Sequence, residues 1–439
     1  MQIVTQGSRF ASNLGLKLAN AFGVSSNFKL RHYPKSREAG NIRKRTNSPM
    51  ATIQFLMWPE KGHMNSSFKL AKSLKSRGHA VVYSQLFMFE EYIRAEELDF
   101  TPLFPDLFPR GYQIQQDQNI GLHIEVGKRI TQQAIARHTT SQDFLRNELD
   151  TMFERVKPQL LVMDTTFGEP LLPVRRQDDP PCILLNTNIR NPYDNLLLPY
   201  VKGLTTLFLC PEEFDLPQKL KVPQSHYVEA SCDLQRKQKD GFPWDRVDES
   251  KKLLYCSLGT QTHWSHRGAN HALHQQTLKK FLQAVVDAIA ARPDWQLIMS
   301  LGIQLRAEDF QSIPPNALLV SEAPQLEILK KASLAITHGG FSTVKECIFF
   351  GVPMLVFPLR EDQPANAIRV EHHGLGVVAD IETASVESLG SLIGKVGCDP
   401  GYKSRIDAMR EIFLRVEREQ PAVTIIEEFL GVRSVEALP

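Results

Sequence analysis

Three short segments carry side chains that could do chemistry, and each follows a predicted buried strand. The first ends at His63, the second begins at Asp164, and the third is the run His338-Gly339-Gly340. An imidazole can take a proton near neutral pH because its ordinary pKa is about 6.5. In the third segment, glycines expose backbone N–H groups at the start of a helix near Ser342 or Thr343, an arrangement suited to a diphosphate. These residues indicate a phosphate-binding turn and a candidate base.

Each of these features also has a plainer interpretation. Taken alone, His63 is more simply a surface or helix-capping histidine, and an aspartate after a strand, such as Asp164, is more often a turn or cap residue. Thr343 and Glu346 have the spacing of a capping box, which would explain both without a ligand. The elements around the segments must decide between these interpretations.

The N-terminal part of the chain has the pattern of a parallel sheet. Residues 51–85 predict strand, helix and strand, with the helix beginning at Ser66 or Ser67 and ending at Gly78. The continuous apolar runs typical of buried parallel strands recur at 160–164 and 182–186. Ligands of such sheets bind beyond the carboxyl ends of the strands, which is where His63 and Asp164 lie.

The alternation of strands and helices restarts at 252–257, after a stretch rich in proline and charge. The sequence therefore predicts an α/β protein with two doubly wound domains in tandem. The predicted segments are a basic leader at 1–50, an N-terminal domain at 51–222, a linker at 223–250, a C-terminal domain at 251–415 and a helical tail at 416–439.

Charge is distributed unevenly along the 439 residues, which hold 51 Lys+Arg and 49 Asp+Glu. Residues 1–50 contain nine bases and one acid, so the remainder holds 42 bases and 48 acids, a balance of −6. A mildly acidic body argues against a nucleic-acid binder, which needs a basic face to displace counterions from phosphates. The basic character belongs to the leader.

The remaining composition indicates a soluble protein of a reducing compartment. No stretch reaches the roughly 18 uninterrupted apolar residues of a membrane-spanning helix, and the six cysteines form no C-x-x-C pair, which favours small apolar core residues. We expect a cytoplasmic location. Apolar residues at helical spacing between 9 and 24 leave organelle targeting by residues 1–50 as an alternative, although we favour a disordered leader.

The stretch from Ala323 to Gly376 contains the elements P-Q, H-x-G, an S/T pair with E three residues later, G-V-P, P-x-x-x-D-Q and N-A. It resembles the donor-binding signature of UDP-dependent glycosyltransferases, and its motif sequences are most similar to those of bacterial zeaxanthin- and macrolide-type glucosyltransferases. The resemblance extends from Ala51 onward. In the N-terminal half it rests on the pattern of strands and helices, whereas the C-terminal half carries the motifs. It implies the GT-B fold: two Rossmann-like domains facing across a cleft, with C-terminal helices, the nucleotide sugar on the C-terminal domain and the acceptor on the N-terminal domain.

The resemblance also implies a role for each matching residue. His63 occupies the position of the catalytic base, and Asp164 that of the carboxylate which orients it. The implied donor contacts are His338, Gly339, Gly340, Ser342 and Thr343 to the diphosphate, Glu346 to the ribose, Gln325 to the nucleobase edge, Asp362 and Gln363 to the hexose, and Ser257, Gly259 and Thr260 to the other side of the nucleotide. Glu322 stands where plant-type members have tryptophan, and Ser342 where they have asparagine, so UDP and dTDP both stay open.

The implied activity is inverting transfer of a hexose from a UDP-sugar to a hydroxyl of a small, largely apolar acceptor such as a carotenoid, polyketide or flavonoid. The Asp-Gln pair implies that the hexose is glucose. The nucleotide sugar is a co-substrate, and the family needs no cofactor or metal for transfer. The positive potential for the diphosphate would come from the helix end and from His338. A leader that stays attached could associate peripherally with a membrane near a lipophilic acceptor.

Several alternatives stay open beside this reading. A protein of this fold could be a non-catalytic activator or scaffold partner, or a nucleotide-sugar epimerase, which needs no acceptor. Four histidines between 263 and 274 conceivably bind zinc, but no cysteine or acidic ligand lies nearby, so a solvated or acceptor-facing loop is favoured. The aromatic window 87–133 is expected to form acceptor loops, with a plain hydrophobic core as the alternative, and His372-His373 is taken as structural.

Overall fold

The structure is a computed structural model that describes residues 51–112, 122–188, 203–217, 224–238, 241–259, 271–302 and 305–432, without the side chains at 122–124, 169 and 271–274. The leader 1–50, Thr260, His263 and His266 therefore lie outside the described residues, as do the side chains of His271 and His274.

The described residues alternate between strands and helices, as the sequence predicts. The strands are β1 (Thr52–Leu56), β2 (Ala80–Gln85), β3 (Asp99–Pro102), β4 (Leu160–Asp164), β5 (Cys182–Asn186), β6 (Thr205–Phe208), β7 (Ser225–Tyr227), β8 (Lys252–Ser257), β9 (Trp295–Ser300), β10 (Ala317–Val320), β11 (Leu334–Thr337), β12 (Met354–Val356) and β13 (Gly376–Val378). The helices are α1 (Lys61–Ser76), α2 (Glu90–Arg94), α3 (Leu122–Ala136), α4 (Ser141–Val156), α5 (Thr165–Leu171), α6 (His271–Ala290), α7 (Gln325–Leu329), α8 (Phe341–Phe350), α9 (Gln363–His372), α10 (Val386–Cys398), α11 (Pro400–Glu419) and α12 (Pro421–Phe429).

The strands form two separate parallel sheets. The first has seven strands in the order β3-β2-β1-β4-β5-β6-β7, and the second has six in the order β10-β9-β8-β11-β12-β13. Every residue of β4 and β5 is buried, because helices cover both faces of a parallel sheet. The two doubly wound domains predicted from the sequence are confirmed.

The strand order reverses once in each sheet, between β1 and β4 and between β8 and β11. At such a point the connections leave in opposite directions, so a crevice opens beyond the carboxyl ends of the two central strands. His63 follows β1 and Asp164 ends β4, while Ser257 ends β8 and His338 follows β11. Topology thus brings residues that are far apart in sequence to the same two crevices.

The chain crosses between the domains more often than a single linker would require. Strand β7 belongs to the first sheet although it lies inside the predicted linker 223–250. Helix α11 ends at Glu419, its C-cap Gln420 has a left-handed backbone (φ 48°), and α12 then packs Ala422, Val423 and Ile426 into the N-terminal core. The domain bounds predicted from the sequence are not tested by these contacts. The predicted tail at 416–439 includes α12, which packs against the N-terminal domain.

Two further expectations need correction. Helix α1 begins at Lys61 rather than at Ser66 or Ser67, whose hydroxyls instead donate within the helix to the carbonyls of His63 and Met64 at 2.7 and 2.8 Å. Five cysteines are buried, as predicted, but Cys398 at the end of α10 is exposed. None of the described helices is both long enough and apolar enough to cross a membrane.

Candidate active site

The candidate base sits in a compact triangle of polar side chains. His63 Nδ1 lies 2.7 Å from Asp164 Oδ2 and 2.9 Å from Thr187 Oγ1, and the threonine hydroxyl donates to the same carboxylate oxygen at 2.9 Å. Asp164 is fully buried, whereas the His63 side chain keeps 13% exposure. With Nδ1 held by these partners, Nε2 is the ring nitrogen left to meet a substrate.

Both interpretations of Asp164 hold at once. It ends β4 and is the N-cap of α5, where Oδ1 accepts from the backbone N–H of Thr166 at 2.8 Å. Its other oxygen, Oδ2, faces His63. One carboxylate therefore caps a helix and orients the imidazole, and the cap fixes its position.

Burial and charge act against each other in this pair. Burial would lower the pKa of His63, but the carboxylate of Asp164 outweighs it and raises the pKa to about 9. Burial would likewise raise the pKa of Asp164, but the charge of His63 and its hydrogen bond hold it below the usual range. The pair thus favours an imidazolium beside a carboxylate.

Sequence reasoning missed Thr187, the third member of the triangle. It directly follows β5, the neighbour of β4 in the sheet, so its place beyond a strand's carboxyl end was the available signal. The sequence predicted a helix that begins at Ser66 or Ser67, after His63, whereas His63 lies in the first turn of α1. The helix gives the histidine a fixed backbone.

The predicted phosphate-binding turn lies at the start of α8. Its N-cap is Gly340, which has no side chain to cap the helix, and the backbone N–H of Phe341 in the first turn donates to the carboxylate of Asp362. Ser342 and Thr343 are half-buried in that first turn. The predicted diphosphate contacts of this turn therefore stay a prediction.

His338 is packed tightly between two glycines. A Cβ at Gly259 would lie 2.7 Å from its ring, and one at Gly340 would lie 2.5 Å from Nε2. Burial, followed by the charge of nearby Arg360, lowers the pKa of His338 to about 4. The imidazole is therefore neutral at pH 7, which corrects the expectation that His338 supplies positive potential; it can offer only a neutral hydrogen bond.

Glu346 is not a capping residue, since the capping residue of α8 is Gly340 and Glu346 lies inside the helix. Its Oε2 accepts from Gln325 Nε2 at 2.5 Å, and its Oε1 lies 2.7 Å from Arg236 Nη1. Gln325 Oε1 in turn accepts from the hydroxyl of Tyr255 at 3.1 Å. The two residues expected at the ribose and the nucleobase are thus neighbours, and Arg236 is a partner that the sequence did not indicate.

Asp362 and Gln363 stand at the start of α9, which follows β12. Gln363 Oε1 accepts from the backbone N–H groups of Leu359 and Arg360 at 2.9 Å each, so its amide is fixed in orientation. Asp362 Oδ2 accepts from Asn366 at 2.8 Å, and its charge contributes to the raised pKa of His63. This carboxylate of the C-terminal domain therefore lies near the candidate base of the N-terminal domain.

The remaining predicted residues have mixed outcomes. Ser257 Oγ accepts from the backbone N–H of Gly259 at 3.4 Å, next to His338, while Thr260 lies outside the described residues. Phe89, Phe104 and Phe108 of the aromatic window are buried core residues. Among the described residues, no group of three His, Cys, Asp or Glu side chains is arranged to hold a metal ion.

The C-terminal domain matches a known family model. Residues 279–423 match the model of UDP-glucuronosyl and UDP-glucosyl transferases. This stretch contains the α8 turn, Glu346 and the Asp362-Gln363 pair, which are the features assembled above.

Full-length similarity extends to bacterial enzymes. The chain is 25% identical to the NDP-glycosyltransferase YjiC of Bacillus licheniformis over 86% of this chain and 97% of that protein. It is 24% identical to the demethyllactenocin mycarosyltransferase of Streptomyces fradiae over 87% of each chain. Both alignments cover much more of the chain than the family model does.

Solved structures share the fold. The glycotransferase of kitacinnamycin superposes with a TM-score of 0.66 at 21% identity, covering 87% of this chain and 99% of that one. The spinosyn rhamnosyltransferase SpnG complexed with thymidine diphosphate superposes with a TM-score of 0.59 at 18% identity, covering 83% and 96%. These likenesses establish the two-domain architecture.

Proposed function

We propose that the chain is a UDP-sugar-dependent glycosyltransferase, and that it transfers a hexose from a UDP-sugar to a hydroxyl of a small, largely apolar acceptor with inversion at the anomeric carbon. The observation that carries this proposal is the buried His63–Asp164 pair, at 2.7 Å, near Asp362 of the other domain. A base on one domain near the sugar-binding residues of the other suits transfer between two substrates.

In the proposed reaction, Nε2 of neutral His63 takes the proton of the acceptor hydroxyl as its oxygen attacks the anomeric carbon. The bond between that carbon and the diphosphate oxygen breaks, and the electron pair leaves with the nucleoside diphosphate. Attack and departure on opposite faces of the sugar invert the configuration. Asp164 stabilises the resulting imidazolium and, with Thr187, keeps Nδ1 as the hydrogen-bonded nitrogen.

The departing diphosphate would be bound at the start of α8. N–H groups at a helix start stabilise an anion through their aligned dipoles, and the N-cap of α8, Gly340, has no side chain to occupy them. Because His338 is neutral, we assign it a hydrogen-bond role to the phosphate oxygens rather than a charge. None of these steps uses a metal, so we expect transfer to continue in the presence of a chelator.

The donor sugar is inferred from side chains of this chain, and the acceptor is inferred from the names of similar proteins. Asp362 offers acceptor oxygens and Gln363, with its Oε1 already engaged, offers an N–H₂ donor, a combination suited to glucose hydroxyls. Two of the similar proteins are named after natural products, demethyllactenocin for the mycarosyltransferase and spinosyn for the rhamnosyltransferase. We propose a natural-product-like acceptor of polyketide, carotenoid or flavonoid type.

The experiment is an acceptor screen with the purified protein. UDP-glucose is incubated with hydroxylated polyenes, polyketides and flavonoids, while UDP release and product mass are followed and the anomeric configuration is read by NMR. Acceptor-dependent UDP release with an inverted glycoside is expected. Absence of release with every acceptor would favour a scaffold partner, and an epimerised sugar nucleotide formed without acceptor would favour the epimerase alternative.

A further inference from the structure

We propose that Arg236, on the segment that joins the two domains, is a positioning residue that makes the donor site select ribonucleoside over 2′-deoxyribonucleoside diphosphate sugars. The inference rests on the proposed function, because it assumes that Glu346 binds the ribose. What is new is the arginine, which acts on the nucleotide only through Glu346.

Residues 230–238, called the joining segment below, are bound to the donor side at three places. Lys345 Nζ donates to the carbonyl of Ala230 at 2.7 Å and is buried. Arg236 pairs with Glu346, and Gln238 Oε1 accepts from the backbone N–H of Leu326 at 3.1 Å. These contacts hold the joining segment against the start of α7 and the middle of α8, next to Gln325 and Glu346, the residues expected at the nucleobase and the ribose.

The same segment is bound to the helix that carries the candidate base. Ser231 Oγ, fully buried, accepts from the backbone N–H of Leu70 at 3.3 Å. Asp233 Oδ2 accepts from Lys72 Nζ at 2.7 Å. Both partners belong to α1, whose first turn contains His63. Arg236 therefore projects from a segment that is fixed to both domains rather than from a free loop.

Arg236 determines how Glu346 can bind a diol. The carboxylate side chain is only 4% exposed, so it needs a compensating charge, and the guanidinium lies 2.7 Å from Oε1. Burial would lower the pKa of Arg236, but the charge of Glu346 raises it, so the arginine stays charged. Gln325 occupies one lone pair of Oε2 in the same way. With both oxygens fixed, each retains a lone pair, which matches the two hydroxyl donors of a ribose.

A 2′-deoxyribose supplies one of those two donors. Its binding would leave the remaining lone pair of one fixed carboxylate oxygen without a donor, which is the situation in which sites reject a ligand lacking a hydroxyl. Without Arg236, the carboxylate can turn, and the penalty for the missing hydroxyl shrinks. Loss of Arg236 is thus expected to reduce the preference for the ribonucleotide over the deoxyribonucleotide, while the affinity for the deoxyribonucleotide changes little.

The test is calorimetric binding of UDP and 2′-deoxyuridine 5′-diphosphate to the full chain and its variants, without acceptor. We expect the wild type to prefer UDP by at least about tenfold. Arg236→Gln should weaken UDP binding about tenfold and change dUDP binding by less than about threefold. Arg236→Lys should retain part of the preference. Arg415→Gln, which removes an exposed arginine paired with Glu213, is the matched control and should leave both affinities unchanged.

The outcomes separate this inference from the function on which it rests. If the wild type binds neither nucleotide, the proposed function itself fails. If it binds UDP but Arg236→Gln weakens both ligands equally, the arginine is merely structural and the inference is overturned. Tighter UDP binding by Arg236→Gln also overturns it, since the arginine would then block the ribose position. Circular dichroism melts of each variant establish that the folded protein is compared.

Discussion

His63 Nδ1 lies 2.7 Å from Asp164 Oδ2, although 101 positions separate the two residues in the chain. The contact exists because β1 and β4 are adjacent at the point where the strand order of the first sheet reverses. Asp164 cannot turn away, since its other oxygen caps α5. The relationship therefore belongs to the fold and does not require a substrate to form.

Loss of the base should abolish most of the proposed transfer. His63→Ala removes the proton acceptor, so kcat is expected to fall by roughly 10²–10⁴-fold. Asp164→Asn leaves the shape nearly intact but removes the charge that stabilises the imidazolium, so kcat should also fall by at least about tenfold. Steady-state rates with saturating UDP-glucose check both. A His63→Ala variant with unchanged kcat would contradict the assignment.

Thr187 should have a smaller effect that depends on its hydroxyl. Thr187→Val deletes the donor to the Asp164 carboxylate at 2.9 Å, and a hydrogen bond to a charged group is worth about 1.5 kcal/mol or more, so kcat should fall by about tenfold. Thr187→Ser retains the hydroxyl and serves as the control. If valine and serine variants lose the same activity, packing rather than the hydrogen bond explains the loss.

The raised pKa of His63 predicts a specific pH profile. The base must be neutral, so kcat/KM should increase with pH and level off above about 9, the pKa of His63 in the folded chain. The stability effect has the opposite direction. Because the folded pKa exceeds the usual 6.5, the protonated pair stabilises the fold fully below about pH 6.5, and this contribution is lost as pH rises through about 9.

A comparison with Asp164→Asn isolates the pair in both measurements. Without the carboxylate, burial lowers the pKa of His63, so the limb of the pH–rate profile should move to lower pH. The difference in unfolding free energy between wild type and variant should shrink between pH 6.5 and pH 9. A profile that does not move would show that another group titrates.

The sequence alone predicts the location of residues that lie at the carboxyl ends of parallel strands. Asp164, His338 and Ser257 stand at or just beyond strand ends, and such positions converge in doubly wound sheets whatever the loops do. Thr187 obeys the same rule but lacks a distinctive side chain, so nothing in the sequence separated it from other threonines.

The partners that sequence reasoning missed come from tertiary packing. Arg236 lies in a segment that looked like a linker rich in charge, and its pairing with Glu346 depends on how the chain crosses between domains. The charge state of His338 also could not be predicted, because it depends on burial and on Arg360 rather than on residue type. Local patterns do not contain such distances.

The two glycines beside His338 should be intolerant of a methyl group. Gly340→Ala would place Cβ 2.5 Å from His338 Nε2, and Gly259→Ala would do so at 2.7 Å in a backbone with φ 81°. Either change displaces the ring, so UDP binding is expected to weaken at least about tenfold with little loss of fold. Gly390→Ala, whose Cβ would meet only Arg292 at 3.8 Å, is the control and should retain UDP binding by calorimetry.

A buried ion pair outside the site should control stability rather than catalysis. Arg369 on α9 is 1% exposed, and its Nε and Nη2 lie 2.9 and 2.6 Å from Asp215 Oδ1. Asp215→Ala leaves the guanidinium buried without its carboxylate, so the free energy of unfolding should fall by about 3–5 kcal/mol. Replacing both residues, as Asp215→Ala with Arg369→Met, removes the unpaired charge and should recover part of that loss. Urea denaturation of the single and double variants measures this, and a double variant less stable than Asp215→Ala would contradict the argument.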